Sequence, residues 1–176
     1  MAVAFLLCGP SLSGKTRLRA RLCSLLSLPC IAFDEINAAR GLPLGALGSA
    51  GEWALTLDLA LAQTRALLSA GQSLVVDDTL CYRWLRNRLR DVITAAGATS
   101  VLLHLSADAD VLWQRYRALD DSRSRAILSP GVFDAHLRSF EPPTDEEEAI
   151  FLPDDEAIEE WLHGLSSSPG HPGTTT

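Results

Sequence analysis

Lysine is almost absent from this sequence, because Lys15 is the only lysine among its 176 residues. Arginine supplies every other permanently cationic side chain. The two residues differ in chemistry, since lysine carries a compact ammonium and arginine a broad, planar guanidinium. A composition that avoids lysine elsewhere therefore indicates a chemical use for the ammonium of Lys15.

An excess of positive charge is also absent. The chain has 15 lysine and arginine residues against 22 aspartate and glutamate residues, which gives a formal net charge of -7 and a pI of about 5.0. Such a charge repels a nucleic-acid backbone unless the arginines gather on one face. Nucleic acid is therefore a less favoured partner than a small molecule.

Long hydrophobic runs and paired cysteine motifs are missing as well. No apolar run is long enough to span a membrane, and the apolar residues 2–8 lack the basic leading region of a secretion signal. The four cysteines form no C-x-x-C motif and lie in apolar segments, which favours reduced thiols over a disulfide framework or a zinc site. The sequence thus predicts a cytoplasmic protein without a membrane partner.

Composition predicts one globular domain followed by a short disordered segment. The chain is 47% hydrophobic and 21% charged, which suits a single domain over residues 1–165. Residues 166–176 are mostly serine, glycine, proline and threonine, so we expect them to be disordered. The sequence leaves the oligomeric state open.

The segment Gly9-Pro10-Ser11-Leu12-Ser13-Gly14-Lys15-Thr16 matches the pattern G-x-x-x-x-G-K-[ST] at every fixed position. It follows an apolar, strand-like run and precedes a helical pattern over residues 14–26. Glycines let backbone N–H groups approach phosphate oxygens, and the helix N-terminus favours an anion. The alternative is a glycine turn with an ordinary surface lysine. The predicted nucleotide-binding residues are Gly9, Ser11, Ser13, Gly14, Lys15 and Thr16, with Thr16 also a ligand of Mg²⁺.

Carboxylates follow two further strand-like runs. Residues 73–76 are followed by Asp77 and Asp78, which are the candidates for holding Mg²⁺. The alternative is that these acids cap the next helix. Residues 30–33 are followed by Asp34 and Glu35, at the strand end where open α/β sheets place their chemistry.

Strand-like and helical patterns alternate along the whole chain. This alternation predicts an α/β protein with the three-layer P-loop NTPase or kinase fold, a parallel sheet of about five strands with helices on both faces. Arginines of the helices over 14–26 and 82–96 are expected to lie mostly in solvent, as is the acidic run 145–148. The glycine-rich residues 41–51 are a candidate substrate-facing loop.

A polar, arginine-rich segment follows the predicted helix over residues 108–117. Arginines on a mobile segment stabilise the charge that develops during phosphoryl transfer, so this segment is a candidate lid. The alternative is an exposed turn in which Asp120 and Asp121 pair with the same arginines. The predicted catalytic arginines are Arg115, Arg123 and Arg125, and Arg115 is also expected to contact the nucleotide.

In these motifs the chain resembles the small AAA-type P-loop kinases, a group that includes phage-type polynucleotide 5'-kinase domains, zeta-toxin-like kinases and chloramphenicol-type phosphotransferases. The resemblance covers roughly residues 3–143. It implies that Asp34 is the general base for the acceptor hydroxyl, that Asp78-Thr79 is the group's Asp-Thr pair, and that Arg115 is the first lid arginine. The phrase Ser139-Phe140-Glu141-Pro142-Pro143 resembles the F-E-x-P ending of the group.

Two departures bear on the substrate. In polynucleotide kinases, the resemblance implies an arginine three residues after the base. This chain has Asn37 at that position, and Arg40 is the nearby residue that could substitute for the arginine. The asparagine that often follows the Asp-Thr pair is Leu80. Both changes make the acceptor site less suited to the anionic end of a nucleic acid. The predicted substrate-binding residues are Asp34, Glu35, Asn37, Arg40 and Asp78.

The sequence therefore predicts a phosphotransferase that uses ATP and Mg²⁺ to phosphorylate a hydroxyl of a small molecule, such as an antibiotic, a sugar or a nucleoside-like compound. Lys15 would bind the β and γ phosphates. ATP is favoured over GTP because no N-K-x-D motif is present. One alternative is a polynucleotide or RNA 5'-hydroxyl kinase. Another is a nucleotide-dependent switch or ATPase without small-molecule transfer.

Overall fold

The computed structural model describes residues 1–42, 49–119 and 129–167, with side chains described as far as residue 165. Within these ranges the chain forms one parallel sheet of five strands in the order β2-β3-β1-β4-β5. The strands are β1 (Val3–Cys8), β2 (Cys30–Ala32), β3 (Leu74–Asp77), β4 (Thr99–Leu105) and β5 (Ile150–Leu152).

Seven α-helices and one 3₁₀ helix are formed by the described residues. The α-helices are α1 (Lys15–Leu26), α2 (Phe33–Ala39), α3 (Ala50–Ser69), α4 (Arg83–Ala95), α5 (Ala109–Arg117), α6 (Pro130–Ser139) and α7 (Asp155–Ser167), and the 3₁₀ helix is Asp145–Glu147.

The central strand β1 separates two hydrophobic layers, as a strand does when its side chains alternate between faces. Leu6 belongs to the layer that α3 and α4 cover, whereas Leu7 belongs to the layer that α1 and α7 cover. Both leucines are completely buried. The predicted three-layer α/β fold with a parallel five-stranded sheet is confirmed.

Helix α2 was not predicted from the sequence. Strand β2 has only three residues, and the chain turns directly into α2 at Phe33. Phe33 and Ile36 are spaced at a helical interval and both are buried, so the apolar pattern that resembled a strand continues as a helix face. Asp34 and Glu35 consequently lie in the first helical turn rather than in a loop.

The expectation that the arginines of α4 and the acidic run 145–148 lie in solvent is wrong for Arg86 and Glu147. The two side chains are 0% and 2% exposed. Arg86 donates to both carboxylate oxygens of Glu147, at 2.7 and 2.8 Å, and to the carbonyl oxygens of Leu80 and Glu141, at 2.8 and 2.9 Å. The buried pair thus joins α4 to the 3₁₀ helix, and Arg86 also binds the backbone before α4 and after α6.

The last helix, α7, reaches the end of the residues that the structure describes. Helix α7 continues to Ser167, two residues beyond the predicted end of the domain, and residues 168–176 lie outside the described residues. The predicted disorder of that segment stays a prediction. Among the helices described, none is long and apolar enough to cross a membrane.

Candidate active site

The phosphate-loop motif connects β1 to α1 at the carboxyl edge of the sheet. Its first glycine is enforced by packing, because a Cβ on Gly9 would lie 2.2 Å from the backbone carbonyl oxygen of Leu105. Its second, Gly14, has a φ of 106°, a conformation that other residues rarely adopt. The N–H of Gly9 donates to the carbonyl of Thr79 at 3.0 Å, which holds the loop against the end of β3.

Lys15 lies inside this loop. Its buried Nζ donates to the carbonyl oxygens of Gly9 and Pro10, each at 2.8 Å. Burial lowers the pKa of Lys15, and the carboxylates of Asp77, Asp78 and Asp34 act in the opposite direction. The buried hydroxyl of Ser13 has no hydrogen-bond partner among the described residues. An orphaned polar atom in a loop of this shape is accounted for by a ligand that supplies oxygen atoms.

Asp77 and Asp78 lie at the end of β3, next to the strand β1 that leads into the loop. Asp77 pairs in register with Leu7 of β1 and Ala32 of β2. Burial raises the pKa of both carboxyl groups, and the charge of Lys15 opposes this change in each. One oxygen of Asp78 accepts from the N–H of Leu80 at 3.0 Å. The N-cap of α4 is Tyr82, without a side-chain hydrogen bond, so the helix-capping alternative is wrong.

The donor set at this edge fits a magnesium ion that is shared with a nucleotide. No cluster of three or more metal-ligating side chains occurs in the part of the chain that the structure describes. Mg²⁺ in phosphoryl-transfer sites needs fewer, because it keeps water molecules and takes phosphate oxygens in addition to one or two carboxylates. Two carboxyl groups with raised pKa values lie side by side here, and the exposed Thr16 stands in the first turn of α1.

Arg19 joins the site, although its sequence pattern predicted a solvated side chain. Its Nη1 lies 2.9 Å from Oε1 of Glu35 and 3.3 Å from Oδ2 of Asp77. The signal that could have placed it is its spacing, because Arg19 follows Lys15 by four residues and therefore shares its helix face. Arg19 links the carboxylate at the end of β3 to the first turn of α2.

The structure brings Asp34 to the same edge. The side chain is exposed in the first turn of α2, and its charge acts on the pKa of Lys15, Asp77 and Asp78. The neighbouring Glu35 is held by Arg19, at 2.9 Å. Asp34 is therefore an exposed acid of α2 that lies close enough to the loop for its charge to act there.

Asn37 and Arg40 belong to a polar network between α2 and α3. Arg40 donates to the hydroxyl of Thr56 at 2.6 Å and to the carboxylate of Glu52 at 3.1 Å. The Thr56 hydroxyl in turn donates to Oδ1 of Asn37 at 2.5 Å. The guanidinium of Arg40 is thus engaged by α3, and its predicted contact with substrate stays a prediction.

One of the predicted lid arginines reaches the loop. Arg115, in the last turn of α5, donates from Nη1 to the carbonyl of Leu12 at 2.8 Å. Arg123 and Arg125 lie outside the described residues, as does most of the candidate substrate loop over residues 41–51. Their predicted functions stay predictions.

His136 is a site residue that the sequence did not reveal. Phe133 anchors α6 against Trp113 and Tyr116 of α5, with ring centroids 5.0 and 4.7 Å apart. One turn later, Nε2 of His136 is buried without a hydrogen-bond partner among the described residues. Burial lowers the pKa of His136, and the charge of Lys15 adds to this effect. Its spacing of three residues from Phe133 is the only sequence signal.

The structure is similar to several solved kinases. A sugar kinase from a Janibacter species has a TM-score of 0.73 at 20% identity, and the match covers 99% of this chain and 100% of that one. The APS kinase of Mycobacterium tuberculosis in complex with AMPPNP and APS has a TM-score of 0.63 at 19% identity, with 94% and 95% covered. A gluconokinase from Sinorhizobium meliloti has a TM-score of 0.62 at 20% identity, with 93% and 91% covered. Because these sequence identities are low, the structural similarity is evidence for the fold, and it shows that the chain has the fold of these P-loop kinases.

The comparison with sequence families gives a direct assignment. No curated protein matches the sequence. A family model described as an AAA domain matches residues 5–143, which is more than half of the 176-residue chain. The protein therefore belongs to this AAA domain family, as its resemblance to AAA-type P-loop kinases implied.

Proposed function

We propose that this protein is a kinase that transfers the γ-phosphoryl group of ATP to a hydroxyl of a small molecule. The observation that carries the proposal is the placement of the exposed Asp34 in the first turn of α2, directly after β2, whose last residue pairs with Asp77 at the end of β3. A nucleotide-binding loop alone would support binding, whereas an exposed carboxylate at the same edge of the sheet supports transfer. The structures of a sugar kinase, a gluconokinase and an APS kinase support a small acceptor.

The phosphate loop would bind the nucleotide. Phosphate oxygens would replace the carbonyl oxygens of Gly9 and Pro10 as partners of the Lys15 ammonium. The hydroxyl of Ser13 would gain the partner that it lacks. Arg115 is held at the loop by Leu12 and would be positioned to neutralise charge on the transferred group. Because these donors are already placed by the protein, little reorganisation is needed when charge develops.

Thr16 and one of the two acids, Asp77 or Asp78, would hold Mg²⁺. The ion would supply charge neutralisation on the phosphates. Arg19 has a supporting function in this arrangement, because it fixes the carboxylate of Asp77 at 3.3 Å. ATP as the nucleotide and magnesium as the metal are both part of the proposal.

Asp34 would act on the acceptor. Its carboxylate accepts the hydroxyl proton while the acceptor oxygen forms a bond to the γ-phosphorus, the bond from that phosphorus to the β–γ bridging oxygen breaks, and ADP leaves. The side chain is exposed, so an acceptor can approach it from solvent. Positioning of the two substrates and charge stabilisation then account for most of the rate.

Asp34→Asn is expected to retain ATP binding and to lose phosphoryl transfer by about a hundredfold or more, because the amide cannot accept the proton. The measurement is kcat for product formation together with the affinity for ATP. Asp91→Asn is the matched control, since this exposed carboxylate near the C-terminal end of α4 lies away from the proposed site and should leave turnover unchanged. Unchanged turnover in Asp34→Asn would remove this residue from the mechanism.

A further inference from the structure

Three aromatic side chains form a cluster on the surface near the proposed site, and we call this cluster the aromatic platform. It consists of Trp53, Tyr82 and Trp84. Trp53 meets Trp84 edge to face with centroids 5.4 Å apart, and the rings of Tyr82 and Trp84 are nearly parallel at 6.3 Å. Trp53 and Trp84 remain 37% and 48% exposed. Their mutual contacts fix the orientation of the rings, while both indoles stay partly open to solvent.

The topology places the platform at the carboxyl edge of the sheet. Helix α4 follows the end of β3, so its first turn, with Trp84, lies at that edge. Helix α3 has 20 residues, is about 30 Å long and ends just before β3 begins. Its N-terminal turn, which contains Trp53, therefore lies at the carboxyl edge of the sheet. The phosphate loop and the acids at the end of β3 lie at this edge too.

The segments that carry the platform contact or directly follow segments that we assign to the site. Trp53 is the direct neighbour of Glu52, which binds Arg40 of α2 at 3.1 Å. The same helix α2 carries Asp34, the proposed base. Tyr82 follows Asp78 by four residues and is the N-cap of α4. Helix α3 therefore contacts α2, the helix that carries the base, and Tyr82 closely follows the acids of β3 along the chain.

The size of the exposed surface indicates what would bind there. The two indoles expose roughly 200 Å² together. A stable protein–protein interface buries about 800 Å² on each partner, which is several times more. The exposed area instead suits a single ring system. A flat aromatic ring can stack on an indole with its whole π face, whereas a sugar ring offers only its C–H groups and still needs hydrogen-bond partners for its hydroxyl groups.

We infer that the aromatic platform binds the acceptor by stacking, and that the acceptor carries an aromatic or heteroaromatic ring joined to its hydroxyl-bearing part. This inference rests on the proposed kinase function, because it assigns the ring of the acceptor to the platform and its hydroxyl to Asp34. Nucleosides and aryl alcohols have this chemistry, and simple sugars and sugar acids do not.

Tryptophan fluorescence of the full chain tests the inference without requiring turnover. In a Trp113→Phe/Trp161→Phe background the platform tryptophans are the only ones left. With the nucleotide site filled by Mg²⁺-ADP, uridine and 2-phenylethanol are titrated against ribose, which lacks the ring. We expect saturable quenching by one or both ring-bearing probes, and none by ribose at the same concentrations.

Two variants locate the binding. Trp84→Leu should weaken binding of the ring-bearing probe about tenfold, measured by calorimetry and as a rise in KM when the probe is phosphorylated. Leu55→Ala changes an equally exposed apolar residue of α3, 49% exposed, and should leave the affinity unchanged. Thermal unfolding of both variants verifies that each remains folded.

Several outcomes would overturn the inference. They are the absence of quenching by both ring-bearing probes, equal quenching by ribose, an unchanged affinity in Trp84→Leu, or a self-association of the chain that Trp84→Leu abolishes. Failure of the kinase function is distinguishable. Ring binding at Trp84 without transfer to any compound of a broad panel of hydroxyl compounds would refute the kinase and leave the platform. Transfer to ring-free alcohols, unaffected by Trp84→Leu, would do the reverse.

Discussion

Lys15→Arg is expected to lower phosphoryl transfer by roughly a hundredfold to a thousandfold while the protein remains folded. The wild-type ammonium is buried in the phosphate loop, 2.8 Å from the carbonyl oxygens of both Gly9 and Pro10. A guanidinium carries the same charge, but its planar fork is too broad for a position that a single nitrogen occupies. Turnover and ATP-induced thermal stabilisation are the measurements.

Matched variants separate the chemistry of the ammonium from steric disturbance. Lys15→Ala removes the charge without adding volume and should be at least as inactive. Arg17→Lys alters an exposed arginine on the same helix, two residues away, and should have wild-type turnover. Wild-type turnover in Lys15→Arg would show that the loop does not bind phosphate in the way proposed.

Arg86→Ala is expected to lower the free energy of unfolding by about 3–5 kcal/mol, because removing one partner of a buried ion pair leaves the other charge uncompensated. The pair is almost completely buried, and Glu147 lies 61 residues away in the sequence. Urea unfolding measures the change. A loss of this much unfolding free energy would be a large part of the stability of a typical domain.

The control for this prediction lies on the same two elements. Arg83 pairs with Glu146 at 2.6 Å, but the side chains are 45% and 77% exposed. Arg83→Ala should therefore destabilise the protein much less than Arg86→Ala. Replacing both buried partners, in Arg86→Met/Glu147→Leu, should cost less than Arg86→Ala, because no buried charge remains. Equal effects of Arg86→Ala and Arg83→Ala would contradict the assigned function of the buried pair.

The same pair predicts a pH dependence of stability. Burial by itself would raise the pKa of Glu147, but hydrogen bonds from Arg86 and the Thr144 backbone, together with the charges of Arg86 and Arg90, lower it from 4.5 to about 2. A carboxyl group with a lowered folded-state pKa stabilises the protein above its unfolded value. This contribution should be lost as the pH falls from 4.5 through about 2. In Arg86→Ala, the unfolding free energy should vary less over that range.

The phosphate loop and the layer order were predictable because their signals are local. Residues 9–16 contain the whole binding motif, and each buried strand is bounded by turn residues and a helical pattern. The alternation of strands with helices then leaves few possible topologies. The three-residue β2 shows the limit, because its apolar residues continue without a break into α2.

Other features of the fold and of the site depend on contacts between residues that are distant in the sequence. The sequence position of Arg86 is typical of a surface arginine. Its burial is favourable only because Glu147, from another element, packs against it. Arg19 was within reach of sequence reasoning through its spacing from Lys15, whereas His136 requires the packing of α6 on α5. The engagement of Arg40 by Glu52 and Thr56 likewise depends on how α2 meets α3.

The central claim is that this AAA-domain protein transfers phosphate to a hydroxyl compound rather than to water. The most direct measurement follows the label of [γ-³²P]ATP, in the presence of Mg²⁺, with a panel of nucleosides, aryl alcohols, sugars, antibiotics and a 5'-hydroxyl oligonucleotide. The account predicts that label enters a small organic product in the wild type and that this transfer is lost in both Lys15→Arg and Asp34→Asn. Release of all label as inorganic phosphate, at a rate that Asp34→Asn leaves unchanged, would contradict it.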